Sequence, residues 1–175
     1  MGDPAGIGLE LAARVWAARD RSTPPFFLVG DARAFERACK RLAPPAPALA
    51  VVDDANAISH SPDALTILHT PLAMEETPGE PDPVNADATI SAIARGADAV
   101  LRGSASGLVT LPIAKSVLHA AGFTFPGHTE FIAHLTRDVR WPQARGPVMM
   151  LAGPSLRVAL ATIHTPLSQV PHKLN

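Results

Sequence analysis

Four side chains in this sequence have the types and placing to do chemistry: Lys115, His128, Thr129 and His164. Lys115 follows the apolar pair Leu108-Val109, Thr110 and Pro112, and opens a helical pattern that Gly122 closes. A lysine near the carboxyl end of a strand is placed to contact an anionic ligand or pair with an acid; the alternative is a solvated lysine in a first helical turn. Pro126-Gly127 then turns the chain and presents His128, Thr129 and Glu130 at the start of another helix. Imidazole, hydroxyl and main-chain donors converging there suit a carboxylate or phosphate. A helix capped by Thr129, with His128 merely exposed, explains the same residues. His164 follows an apolar run, 156–163, just before Pro166. A histidine at a strand end suits metal binding or proton transfer, but a catalytic zinc site takes three protein ligands. No other histidine stands at a pairing distance in sequence, so on spacing alone a hydrogen-bonded strand-end residue is the better reading.

These residues need a scaffold. Residues 26–29, 48–52 and 65–68 are short apolar runs ended by Gly30-Asp31, Asp53-Asp54 and His69-Thr70-Pro71, which predicts three strands, the first of them buried. Between and after them, residues 9–19, 32–42 and 85–102 carry helical periodicity. Leu9, Leu11, Ala12, Val15 and Trp16 form the first face, and Ile90, Ile93, Ala94, Ala97, Val100 and Leu101 the last. Asp31 and Asn85 are the expected N-caps, and Gly103 the expected stop. Residues 107–110 read as a fourth strand and 129–136 as a helix; 147–151 and 156–163 read as adjacent strands, and a helical segment begins at 168. Strands alternating with helices predict an α/β layered fold with a largely parallel sheet.

The glycine-rich stretch Gly2-Asp3-Pro4-Ala5-Gly6-Ile7-Gly8 leads into the first helix. It has neither the dinucleotide spacing nor a Walker pattern, and a plain turn into a helix explains it. Such a loop usually follows a strand, so it either stands alone or goes with one outside this sequence. The carboxylate pairs Asp53-Asp54 and Glu75-Glu76 fall in loop-like stretches and are expected to be solvated.

The chain has 175 residues, 47% hydrophobic and 18% charged, which is enough for a substantial core and excludes a disordered chain. A net charge of −1 argues against a broad nucleic-acid or anionic-membrane surface. The single cysteine, Cys39, is expected as a buried small hydrophobe. With no signal-like or spanning segment, these features lead us to expect a cytoplasmic location.

Taken in order, Met1–Gly8, Leu108–Lys115, Ala121-Gly122, Pro126–Phe131, Val148–Ala152 and Leu156–Leu167 resemble the 4-hydroxythreonine-4-phosphate dehydrogenase family of pyridoxal phosphate biosynthesis. The resemblance implies a three-layer α/β/α fold like that of isocitrate and isopropylmalate dehydrogenases, with two lobes and a homodimer. It implies NAD (or NADP) and a divalent metal (Zn, Mg or Co) as cofactors. The family oxidises the 3-hydroxyl of its phosphorylated substrate, which then decarboxylates to 3-amino-2-oxopropyl phosphate. Its substrate contacts fall on His128 and Thr129, and its first metal histidine on His164; Lys115 remains a candidate for active-site electrostatics. Family chains are nearly twice this length, and the other two metal histidines and most of the cofactor site lie beyond Asn175. The chain is therefore expected to be a piece of the enzyme, inactive alone, with a first lobe over about 1–125 and the start of a second over about 126–175. Sister dehydrogenases of phosphorylated threonate or erythronate, or of dihydrodiols, carry the same motifs, and an inactive remnant also stays open.

Overall fold

Three of the apolar runs become parallel strands, β1 (Leu28–Gly30), β2 (Ala48–Val52) and β3 (Ala64–His69). The sheet order is β1-β3-β2. β3 is thus central, and its Leu65, Ile67 and Leu68 are among the most deeply buried side chains. Near-continuous apolar burial is what a parallel strand flanked on both edges requires. The buried polar residue of that strand, Thr66, is satisfied by donating its hydroxyl to the Ser59 carbonyl at 2.5 Å. These features come from a computed structural model that describes residues 1–42, 46–140 and 147–174. They divide into two compact units, Met1–Thr136 and Arg137–Asn175.

In the first unit, α1 (Gly8–Ala18) and α2 (Ala32–Leu42) pack on one another and on the sheet. Leu9, Ala12, Ala13 and Trp16 meet Ala34, Phe35, Ala38 and Cys39 in the main core, so the cysteine is buried as expected and burial raises its thiol pKa. Leu11 and Val15, expected on the inner face of α1, are exposed; the stripe that fits against α2 is 9, 12, 13 and 16. Asp31 caps α2 as expected, accepting from the Ala34 N–H at 2.7 Å. Its second oxygen accepts from the Leu72 N–H at 3.1 Å, so one carboxylate ties the start of α2 to the chain leaving β3.

The long helix α3 (Ala86–Leu101) ends through Gly103, which takes φ +79. Its last expected core residue, Leu101, is exposed. Asn85 stands at the N-cap position as expected, but its side chain makes no cap hydrogen bond. The Asn85 side chain instead accepts from the N–H groups of Ala73 and Met74, both at 3.1 Å, and donates to the Met74 carbonyl at 3.0 Å. The Asn85 amide is thus spent on the backbone of the preceding loop instead of on the helix start. The Glu75-Glu76 pair is only half solvated. Glu76 is buried because Arg37 and Arg41, on α2, reach over the loop to pair with it.

Residues 107–110 do not form a strand, and Val109 is 89% exposed. The neighbour available to that segment is the N-terminal stretch. Met1 donates its amine to the Val29 carbonyl, and the Asp3 N–H donates to the Pro112 carbonyl at 2.8 Å. Pro4 and Pro112 have no N–H to continue the pairing, so a ladder cannot develop.

In the second unit, β4 (Met150–Ala152) and β5 (Arg157–Ala159) form an antiparallel hairpin with every residue exposed. β5 stops well short of His164, contrary to the long strand expected over 156–163. A two-stranded hairpin without a layer packed on it has little to extend it. A short α6 (Val170–Lys173) follows.

Candidate functional site

The site is built on the connection between α4 (Lys115–Ala120) and α5 (His128–Leu135). Gly122, at φ +90, ends α4, a left-handed conformation that favours glycine. His119 then bonds the Phe123 carbonyl through Nδ1 at 2.7 Å. Phe123 and Phe125 both pack on Phe131 of α5, each with ring centroids 5.2 Å apart. These rings, with Ile93 of α3 and Leu118 of α4, make a second small core. That core sets the angle at which Pro126-Gly127 delivers the chain into α5.

Gly127 is the N-cap of α5, and no side chain caps the helix. Thr129 is therefore not a cap; it lies inside the first turn and is exposed. Lys115 comes across from the start of α4. Its Cε and Nζ both stand 3.5 Å from the point where a Gly127 Cβ would be, and Glu130 Oε2 stands 3.7 Å from it. Lys115, His128 and Glu130 thus gather around Gly127. An uncapped first turn beside an ammonium group has the polarity to hold an anionic oxygen.

His128 is half-buried. Its Nε2 is shut off from solvent and has no hydrogen-bond partner. Burial lowers its pKa below the ordinary histidine value, and the positive charge of Lys115 lowers it further. The imidazole is accordingly neutral near pH 7.

His164 belongs to the second unit, where it is exposed and takes φ +50, an uncommon left-handed conformation for a residue other than glycine. Among the described residues no three histidine, cysteine, aspartate or glutamate side chains come together as a metal site. His164 alone does not fit an ion that needs three protein donors.

Sequence reasoning missed Arg95. It reaches from α3 across the carboxyl ends of β2 and β3, donating to the carbonyls of His69 and Asp53 and, at 3.4 Å, to the Thr70 hydroxyl. An arginine next to the apolar stripe Ile90–Ile93–Ala97 was the available signal. With Asp53, Asp54, Asp98 and Arg102 it lines a cleft of about 430 Å³. The charges there are spent internally: Arg102 pairs with Asp98 at 2.7 Å.

A parallel α/β sheet with a polar corner at a helix start defines an α/β protein suited to small anionic ligands. Residues 22–175 match the model of the family described as pyridoxal phosphate biosynthetic protein PdxA, and the chain belongs to that family. It is 44% identical over 173 residues to 4-hydroxythreonine-4-phosphate dehydrogenase of Caulobacter vibrioides, covering 99% of this chain and 51% of that one. It is 43% identical to the protein of the same name from Methylorubrum extorquens, with 99% and 50% covered. The crystal structure of 4-hydroxythreonine-4-phosphate dehydrogenase from Klebsiella pneumoniae superposes with a TM-score of 0.82 at 32% identity, covering all of this chain and 53% of that one. The chain spans about half the length of these relatives. The expected α/β fold of this family is thereby shown. Among the described residues no helix is long and apolar enough to cross a membrane.

Proposed function

We propose that this chain supplies the substrate-holding corner of a dehydrogenase acting on 4-hydroxythreonine 4-phosphate. The observation that carries the reading is the gathering of Lys115 and His128 around the uncapped start of α5, in a chain that is 44% identical to a relative of that name. In this reading His128 and Thr129 hold the substrate, and Lys115 adds positive charge beside them. The substrate's carboxylate and phosphate give such donors two anionic groups to bind.

The reaction is oxidation of the 3-hydroxyl, with loss of a proton from oxygen and a hydride from carbon. A nicotinamide cofactor, NAD or NADP, would supply the hydride acceptor, and the β-keto acid so formed loses carbon dioxide to give 3-amino-2-oxopropyl phosphate. This chain's residues bind and orient; the lowered pKa of His128 makes it a poor store for the released proton at neutral pH. His164 is proposed as one donor to a divalent metal, with the others drawn from outside the described residues. Because the described donors do not assemble a metal site, no catalytic step is assigned to an ion here. A homodimer in the cytoplasm is the proposed setting.

The test is a chimera in which this chain replaces the corresponding half of the Caulobacter vibrioides protein. It is expected to reduce NAD with 4-hydroxythreonine 4-phosphate and to lose at least about 100-fold in kcat/KM on His128→Ala, the scale of losing a positioned substrate contact. A folded chimera without turnover, or one indifferent to His128→Ala, contradicts the proposal.

A further inference from the structure

The buried nitrogen of His128 has a consequence for how that residue meets a ligand. Nε2 is inaccessible and has no acceptor among the described residues. An N–H at that position would be a buried donor with no acceptor, an arrangement that folded proteins rarely leave in place. Lys115 penalises the alternative of a doubly protonated ring: its ammonium group lies against Gly127, the residue next to His128 in the chain. The ionisable groups around the imidazole are Lys115 from α4, the Met1 amine from the N-terminal segment and Glu130 from α5. Of these, Lys115 is the cation near pH 7, because burial keeps the Met1 amine neutral. The only acid among them is Glu130, whose carboxylate faces the same Gly127 position at 3.7 Å.

We infer that His128 is held as the neutral tautomer protonated on Nδ1, and that Lys115 is the positioning residue that maintains this state. His128 then offers one fixed N–H donor, and the free N–H groups at the start of α5 add to it. The ligand group such a set takes is an anionic oxygen, from a carboxylate or a phosphate. The inference deepens the proposed substrate contact and rests on that reading for its purpose. The tautomer itself is measured without ligand, so the two can fail separately.

The experiment is nitrogen-15 NMR of the histidine rings in the 175-residue chain, titrated with pH, together with Lys115→Met and Lys115→Arg. Lys115 is exposed, and methionine keeps most of its apolar stem. The expected result at pH 7 is a His128 ring protonated on Nδ1 and bare on Nε2. Its titration midpoint should move up in Lys115→Met and stay low in Lys115→Arg, a split that a merely structural role for the lysine would not produce. Should Lys115→Met fail to fold, added salt on the unmodified chain serves instead, because screening must raise the midpoint if the lysine charge holds it down. A proton on Nε2, or a midpoint unmoved both by Lys115→Met and by salt, overturns the inference.

Discussion

Arg37 Nε donates to Glu76 Oε1 at 3.1 Å, and the Glu76 side chain is wholly buried. Burial by itself would raise the carboxyl pKa, but the Arg37 hydrogen bonds, with charge from Arg37 and Arg41, more than offset it and leave the pKa below its ordinary value. Glu76 therefore favours the folded state above the ordinary carboxyl range, and that contribution is lost as pH falls through the lowered folded value. Arg37→Ala leaves a buried carboxylate with Arg41, at 3.5 Å, as its remaining cationic partner among the described residues. The expected cost is about 3 kcal/mol, the low end for breaking a buried pair, read from urea unfolding at pH 7. A loss under about 0.5 kcal/mol, the range of a surface pair, would show the pair to be solvated.

Gly2 is fixed by contact, not by backbone angle. A Cβ there would stand 2.1 Å from the Pro112 carbonyl oxygen, and that backbone is tied by Asp3. Gly2→Ala is expected to destabilise the first unit by more than about 2 kcal/mol, as overpacking against main chain does. Thermal melting checks it; an unchanged Tm would mean that the segment 107–112 is free to move away.

Burial, with charge from Lys115, lowers the His128 pKa below its ordinary value. The folded state thus prefers the neutral ring. As pH drops below the ordinary histidine value the unfolded state takes up a proton that the folded state refuses, so stability falls there. Urea unfolding at several pH values between 8 and 5 reads the slope. Flat stability there would show that the ring reaches water.

The hairpin of the second unit exposes Val148, Met150, Leu151, Leu156 and Val158. Uncovered apolar side chains on short open strands promote association. Sedimentation is expected to show concentration-dependent self-association, weakened by Leu151→Lys with Leu156→Lys. A clean monomer at high concentration would contradict this.

Much of the fold was legible because local signals and burial agreed. The strand 48–52 and the helix 32–42 appear with the expected bounds, and Asp31 caps α2. The errors arose where tertiary demand overrode a local rule. Asn85 has a cap's identity but serves the loop at 73–74; Glu76 has a loop residue's identity but meets two arginines from α2. The run 107–110 has a strand's composition, but prolines occupy the positions where pairing would have to continue. At the site, spacing alone placed His128 and Thr129 at a helix start. It could not show that Lys115 folds back onto Gly127, because that contact depends on how the phenylalanine cluster sets α5 against α4.

The central claim is that the start of α5, with His128 and Lys115, is where the phosphorylated substrate binds. The most direct measurement is an NMR titration of the 175-residue chain with 4-hydroxythreonine 4-phosphate, following backbone amides. The account predicts saturable shifts concentrated at Gly127–Glu130 and Lys115 that vanish in His128→Ala. Saturable shifts located elsewhere, or unchanged in His128→Ala, would contradict it.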